Sequence, residues 1–192
     1  VDRTQDMSVM KTRVTNRYKD DPTTGCLPEN GGHQVRWVGC GYSQIWGKNF
    51  YQTYTGTPKA SGVRLFSAAI PAYDLETCVI DAEKFFTNND LKEILHCEQM
   101  EEFVEGGYFP SGHPMAGKSK KVCLLKKCLE GTKQAGNEAQ TNNVAHLTGP
   151  CKLDQLVTEP TCFKRWFEID GTKVLLMLLV WIDDIFCALS RG

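Results

Sequence analysis

No stretch of this 192-residue sequence is apolar for long enough to span a bilayer. The longest such run, residues 174–182, has nine residues, where a membrane helix needs about 20. No sign of charge dominates either. Twenty-two Lys and Arg stand against 23 Asp and Glu, so no whole-chain basic field marks a nucleic-acid ligand. The nine cysteines are odd in number and include no Cys-x-x-Cys pair, which argues against a disulfide framework and against a zinc ribbon. Reduced, mostly buried thiols in an intracellular protein are the expectation instead. Internal repeats and low-complexity tracts are absent, which excludes solenoids and repeat arrays. A content of 41% hydrophobic and 23% charged residues is that of a globular protein, not a disordered chain, a collagen-like fibre or a coiled coil. The chain opens on valine without a leader segment and stops ten residues after Ile182, so both ends read as cut from a longer parent.

The near-zero net charge hides an uneven distribution. Residues 1–60 hold eight basic and five acidic side chains, residues 61–120 five and ten, and residues 121–192 nine and eight. An acidic middle between more basic flanks suits a cation site beside an anionic substrate, and equally a randomly mixed surface.

Turn and strand signals give an α+β organisation. Residues 20–25, Asp-Asp-Pro-Thr-Thr-Gly, read as a turn, and Gly31-Gly32 as a break before a strand over residues 35–38. Val63, Leu65, Phe66, Ala69 and Ile70 have helical spacing, ended or kinked by Pro71. Residues 77–80 are β-prone and deliver Asp81; residues 122–125 are a further strand candidate. A helix over residues 138–147 stops at Thr148-Gly149-Pro150. Two β-prone runs, 163–167 and 174–182, flank Asp170-Gly171, a hairpin signal. An antiparallel sheet with at least two helices follows.

Asp183-Asp184 leaves the most apolar run of the chain. A solvated turn at the end of a buried strand is one reading. The other is a pair of carboxylates held by a rigid strand to bind Mg²⁺, which prefers oxygen ligands, with Asp81 as a third acid on a neighbouring strand.

With both segments in view, the sequence resembles the reverse transcriptases of copia-type retrotransposons. Residues 79–91, beginning Val79-Ile80-Asp81-Ala82, resemble the family's first catalytic motif, an aspartate followed by an Ala-Phe-Leu-Asn-Gly-like turn. Val180-Trp181-Ile182-Asp183-Asp184 is similar to its Tyr-Val-Asp-Asp box. Between them, residues 124–135 are similar to its Leu-Tyr-Gly-Leu-Lys-Gln-Ala motif. Upstream, residues 36–44 resemble its Lys-Ala-Arg-Leu-Val-Ala-Arg-Gly-Phe-Ser-Gln segment, and residues 98–103 fall where the family has Glu-Gln-Pro-Glu-Gly-Phe. Five matches in order cover roughly residues 33–186.

The resemblance implies an α+β right-hand polymerase, its antiparallel palm sheet packed on helices. A polar segment over 1–30, a fingers-like part over 31–77 and a palm-like part over 78–192 would be present, with thumb and ribonuclease H absent. It implies Asp81, Asp183 and Asp184 as catalytic, metal-binding carboxylates for two Mg²⁺ ions, with Mn²⁺ as a substitute. Arg36, Phe86, Gly131, Lys133 and Gln134 match the family's nucleotide and template grip. The implied partners are an RNA template, a DNA primer, deoxynucleoside triphosphates and the remainder of a Pol polyprotein, with no membrane. The implied setting is cytoplasmic, within a virus-like particle if the element is active.

Departures from the family pattern support an alternative: an inactive or repurposed remnant that binds nucleic acid or protein. Cys40 and Gln34 stand where the family has Arg and Lys, Phe85 replaces a small Ala, and Glu130 replaces Tyr. Gly136-Asn137 replaces Pro-Arg, Ala139 replaces Trp, and Trp181 replaces Tyr before the Asp pair. Gly117-Lys118-Ser119 offers only the tail of a phosphate-binding loop, and His96-Cys97 lacks a second ligand pair.

Overall fold

The computed structural model describes residues 1–18, 20, 23–26 and 32–191. In chain order its strands are β1 (Val9–Met10), β2 (Thr12–Tyr18), β3 (His33–Gly39), β4 (Leu75–Asp81), β5 (Asp90–Cys97), β6 (Cys123–Lys127), β7 (Asp154–Gln155), β8 (Cys162–Ile169), β9 (Thr172–Trp181) and β10 (Asp184–Ser190). The α-helices among the described residues are α1 (Ala60–Ala72) and α2 (Ala135–Thr148). The class is α+β. Of the turn expected over residues 20–25, residues 21 and 22 lie outside the described residues, as does Gly31 of the expected break.

Two compact units form, each from two stretches of chain: Val1–Gln52 with Asp90–Ala135, and Thr53–Asn89 with Gly136–Gly192. Pairing joins the two stretches of the first unit: β1 lies parallel to β5, with Met10 opposite Cys97, so the N-terminal stretch and residues beyond 90 share one sheet. Met10 is fully buried with Leu95, Cys97 and Leu129.

The first unit holds the three-stranded sheet β1-β5-β6 and the antiparallel β2-β3 ribbon, in register from Thr12 opposite Gly39 to Tyr18 opposite His33. The second holds five strands in the order β4-β10-β9-β8-β7, every neighbour antiparallel. Successive side chains of a strand point to opposite faces. Leu175, Met177 and Leu179 of β9 accordingly pack with Phe66 and Ala69 of α1. Leu178 and Val180 pack with Leu147 of α2 on the other face. Cover on both faces explains why residues 174–182 are continuously apolar instead of alternating.

Local chemistry sets the ends of these elements. Asp170 (φ 50°) and Gly171 (φ 79°) both take the left-handed conformation, which a two-residue type I′ hairpin between β8 and β9 requires. Pro71 occupies the last turn of α1, and the Tyr73 N–H closes the helix on the Ala69 carbonyl at 3.0 Å. All nine cysteines are free, five of them buried.

Phe163 is 1% exposed and packs among Leu147, Leu153, Leu178, Val180 and Cys187. Phe163→Ala should cost about 3–5 kcal/mol by lost burial and the cavity it leaves. A fall in the urea midpoint at unchanged m-value is the expected readout.

Candidate functional site

Three aspartates lie near one another along the backbone at one end of the second unit's sheet. Asp81 ends β4, Asp184 opens β10, and the two are direct register partners. Asp183 lies in the two-residue turn between β9 and β10, and its carbonyl accepts the Ala82 N–H at 3.0 Å. Because bonded and non-bonded pairs alternate along an antiparallel ladder, that bond makes Asp81 and Asp184 a non-hydrogen-bonded pair. Such pairs have Cα atoms about 4.5 Å apart, with side chains on the same face. Trp181 faces Asp184 from the other side, so Asp81, Asp184 and Trp181 form one row across three strands.

This corner is locally unfavourable in two ways. Like charges on directly opposed strand residues repel. Among the described residues, no Lys, Arg or His forms an ion pair with any of the three aspartates. The turn residue Ile182 has φ 59°, a conformation that is an outlier for a β-branched side chain. Strain of this kind costs on the order of 1–3 kcal/mol and persists where the surroundings fix it. Among the described residues no three His, Cys, Asp or Glu groups stand together as a metal centre. The donors themselves are all carboxylate oxygens, the chemistry a hard divalent cation takes.

Phe86 lies five residues beyond Asp81 in the same unit, half-buried. Its ring meets Phe85 edge-on at 5.4 Å and 71°. Phe85 itself is 9% exposed, so the bulky replacement of the family's Ala has become part of the core.

The first unit carries a separate feature. Arg13, Gly39, Cys40, Gly41, Tyr42, Gly131 and Lys133 line a cavity of about 620 Å³. Its floor is backbone against backbone: the Gly39 N–H donates to the Glu130 carbonyl at 2.8 Å and the Gly41 N–H to the Gly131 carbonyl at 3.1 Å. Gly131 has φ 85°, and a β-carbon there would fall on the Gly39 carbonyl. Only glycine meets both conditions.

Lys133 is exposed, and its ammonium sits 4.7 Å from the centroid of the Phe50 ring, a cation–π contact. Its backbone N–H donates to Gln44 Oε1 at 2.7 Å. Gln134 is placed differently. It is 1% exposed, accepts from Gln44 Nε2 at 2.8 Å and donates to the Asn49 carbonyl at 3.0 Å. Its amide is spent on holding the loop under Lys133 and does not face outward.

Arg36 is exposed on β3 and pairs with Glu130 at 3.3 Å. The departure at 130 thus places a carboxylate on the cation expected to meet phosphate. Sequence reasoning missed Arg13 and Tyr42 at this cavity. Arg13 lay in a stretch read as a polar segment, and Tyr42 lay inside a matched motif whose aromatic position was given no role. A hydrogen bond with Cys40 holds the exposed Tyr42 hydroxyl above its ordinary pKa.

A family model described as reverse transcriptase (RNA-dependent DNA polymerase) matches residues 3–191. The chain is also similar to the retrovirus-related Pol polyprotein from transposon TNT 1-94 of Nicotiana tabacum, at 27% identity over 153 residues. That match covers 80% of this chain and 10% of the polyprotein. No solved structure matches the chain.

Gly131→Ala should lower stability by about 1–3 kcal/mol, from positive-φ strain and from the collision with Gly39. Gly107 (φ 70°) has open space around its missing side chain, so Gly107→Ala carries backbone strain alone. Thermal unfolding should show the larger loss at 131.

Proposed function

Because the chain belongs to the copia-type reverse transcriptase (RNA-dependent DNA polymerase) family, we propose that it is fingers and palm of an RNA-directed DNA polymerase that extends a primer 3′-hydroxyl by nucleotidyl transfer. The observation that carries this reading is the acid corner. Two opposed aspartates with no cationic partner among the described residues, beside a strained turn, make a poor device for stability. They make a good one for concentrating oxygen ligands at the exposed end of a rigid sheet. The second unit is read as palm, and the cavity-bearing first unit as contributing fingers.

In this reading Asp81, Asp183 and Asp184 hold Mg²⁺, or Mn²⁺ in its place. Bound there, the ions would activate the primer hydroxyl and stabilise the departing pyrophosphate. The chain's own residues bind and orient. Lys133 and Arg13 draw phosphate toward the cavity, whose floor is the close-packed backbone of Gly39, Gly41 and Gly131. Phe86 packs on the nucleotide sugar, and Arg36 serves the template side. The partners are an RNA template, a DNA primer, deoxynucleoside triphosphates and the rest of a Pol polyprotein, in a cytoplasmic particle. Among the described residues no helix is long and apolar enough to cross a membrane.

The Arg36–Glu130 ion pair favours a second reading, a nucleic-acid-binding module that has lost catalysis. Primer extension on an RNA template with Mg²⁺ separates the two. Extension that disappears in Asp183→Asn, with primer–template binding retained, supports the polymerase. Binding without extension by the unmodified chain supports the module.

Glu130→Gln frees Arg36 in either case. An exposed pair of this kind is worth up to about 1 kcal/mol, so primer–template affinity should rise by up to about fivefold. The gain should fade at high salt, as a fluorescence-anisotropy titration would show.

A further inference from the structure

Two pairs of cysteines face each other across antiparallel strands. Cys78 of β4 is the direct register partner of Cys187 of β10. Cys97 of β5 is the partner of Cys123 of β6. The alternation that makes Asp81 and Asp184 a non-hydrogen-bonded pair makes Cys78 and Cys187, three positions along, a hydrogen-bonded one. Cα atoms of such a pair lie about 5.5 Å apart, inside the range of about 4.4–6.8 Å that a disulfide spans, and the two thiols are in hydrogen-bond contact. Closing the bridge draws the Cβ atoms in from about 5 Å to about 4 Å, a small movement of the edge strand. Access distinguishes the two pairs. Cys78 is exposed on an edge strand while Cys187 is 8% exposed beneath it; Cys97 is fully enclosed and Cys123 half-buried.

We propose that Cys78 and Cys187 form a redox modification site, which a small-molecule disulfide such as oxidised glutathione converts to a cross-strand disulfide. The Cys78 thiolate attacks one sulfur of the oxidant, forming a mixed disulfide and expelling one glutathione thiolate. Cys187 then attacks the Cys78 sulfur, closing the protein disulfide and expelling the second glutathione, which takes up the Cys187 proton. Two protein thiols lose two electrons and two protons, and the oxidant gains them as two thiols.

The order follows from exposure. Burial first, and then the adjacent Cys78 sulfur, push the Cys187 thiol up to about 11, so it acts as the resolving group. Burial drives Cys97 further, to about 12, and no exposed partner starts the reaction there. The bridge would fasten β4, which has β10 as its one neighbour in the sheet, three residues from Asp81 and Asp184. Exposed disulfides are the reducible ones, so the staple is reversible.

The test treats the full chain with oxidised glutathione, quenches with acid and an alkylating agent, and maps unreduced peptides by mass spectrometry. A Cys78–Cys187 linked pair, released by dithiothreitol, should appear at least ten times faster than any Cys97–Cys123 link. Cys187→Ser should stop the reaction at a Cys78–glutathione mixed disulfide, and Cys78→Ser should leave Cys187 unmodified. Amide exchange in β4 should slow on oxidation and recover on reduction. A mixed disulfide that persists at Cys78 beside a free Cys187, earlier linkage of Cys97 to Cys123, or no reaction at all would overturn the proposal.

Discussion

Strand β9 is buried on both faces, and its register decides where every other side chain of its sheet points. A slip of one residue would exchange the side chains packed on α1 for those packed on α2. Leu175, Met177 and Leu179 fit Phe66 and Ala69; Leu178 and Val180 fit Leu147. The strand is closed at one end by the Asp170-Gly171 turn and at the other by Ile182-Asp183. With β9 fixed, β10 has one register, and β4 follows from β10. The meeting of Asp81 with Asp184 is therefore a consequence of apolar packing elsewhere in the unit.

That dependence explains how an unfavourable corner survives. Opposed carboxylates and an isoleucine at positive φ both oppose folding, by amounts on the order of a few kcal/mol together. Burial of large apolar side chains contributes about 1.5–3 kcal/mol each, and the two clusters on the faces of β9 hold more than a dozen buried residues. Packing therefore outweighs the local cost and keeps the acids where they are. A glycine at 182 would remove the conflict at the turn, yet the chain carries isoleucine.

How much of this was legible in the sequence depended on whether a signal was local. The β8–β9 hairpin, the end of α1 at Pro71 and α2 before Gly149 are set by turn chemistry and periodicity, and the structure has them. The strand leading into Asp81 and the run leading into Asp183-Asp184 were legible too. Long-range pairing was not. β1 is two residues long and carries no strand signal of its own; it exists because Met10 fills the core formed with Leu95 and Cys97. Of β5 only His96-Cys97 read as strand, since its partner β1 lies 87 residues earlier, Val9 opposite His96. The return of residues 90–135 to the first unit is set by such pairings and by no local signal. At the candidate site, the glycine at 131 was legible as a motif position, whereas the burial of Gln134 and the pairing of Glu130 with Arg36 depended on side chains far apart in sequence.

Charge shows what the fold adds to a count. The whole chain is at −1, but the two units divide it unequally. The unit with the glycine-floored cavity has fourteen basic and twelve acidic side chains; the unit with the acid corner has eight and eleven. The excess of three negative charges in the second equals its three corner aspartates. In the first, Glu130 cancels Arg36, so the cavity's positive potential rests on Arg13 and Lys133. Near-neutrality is thus the sum of one unit at +2 and one at −3. A chain-wide charge argument against a polyanionic ligand fails because the average is taken over units of opposite net charge.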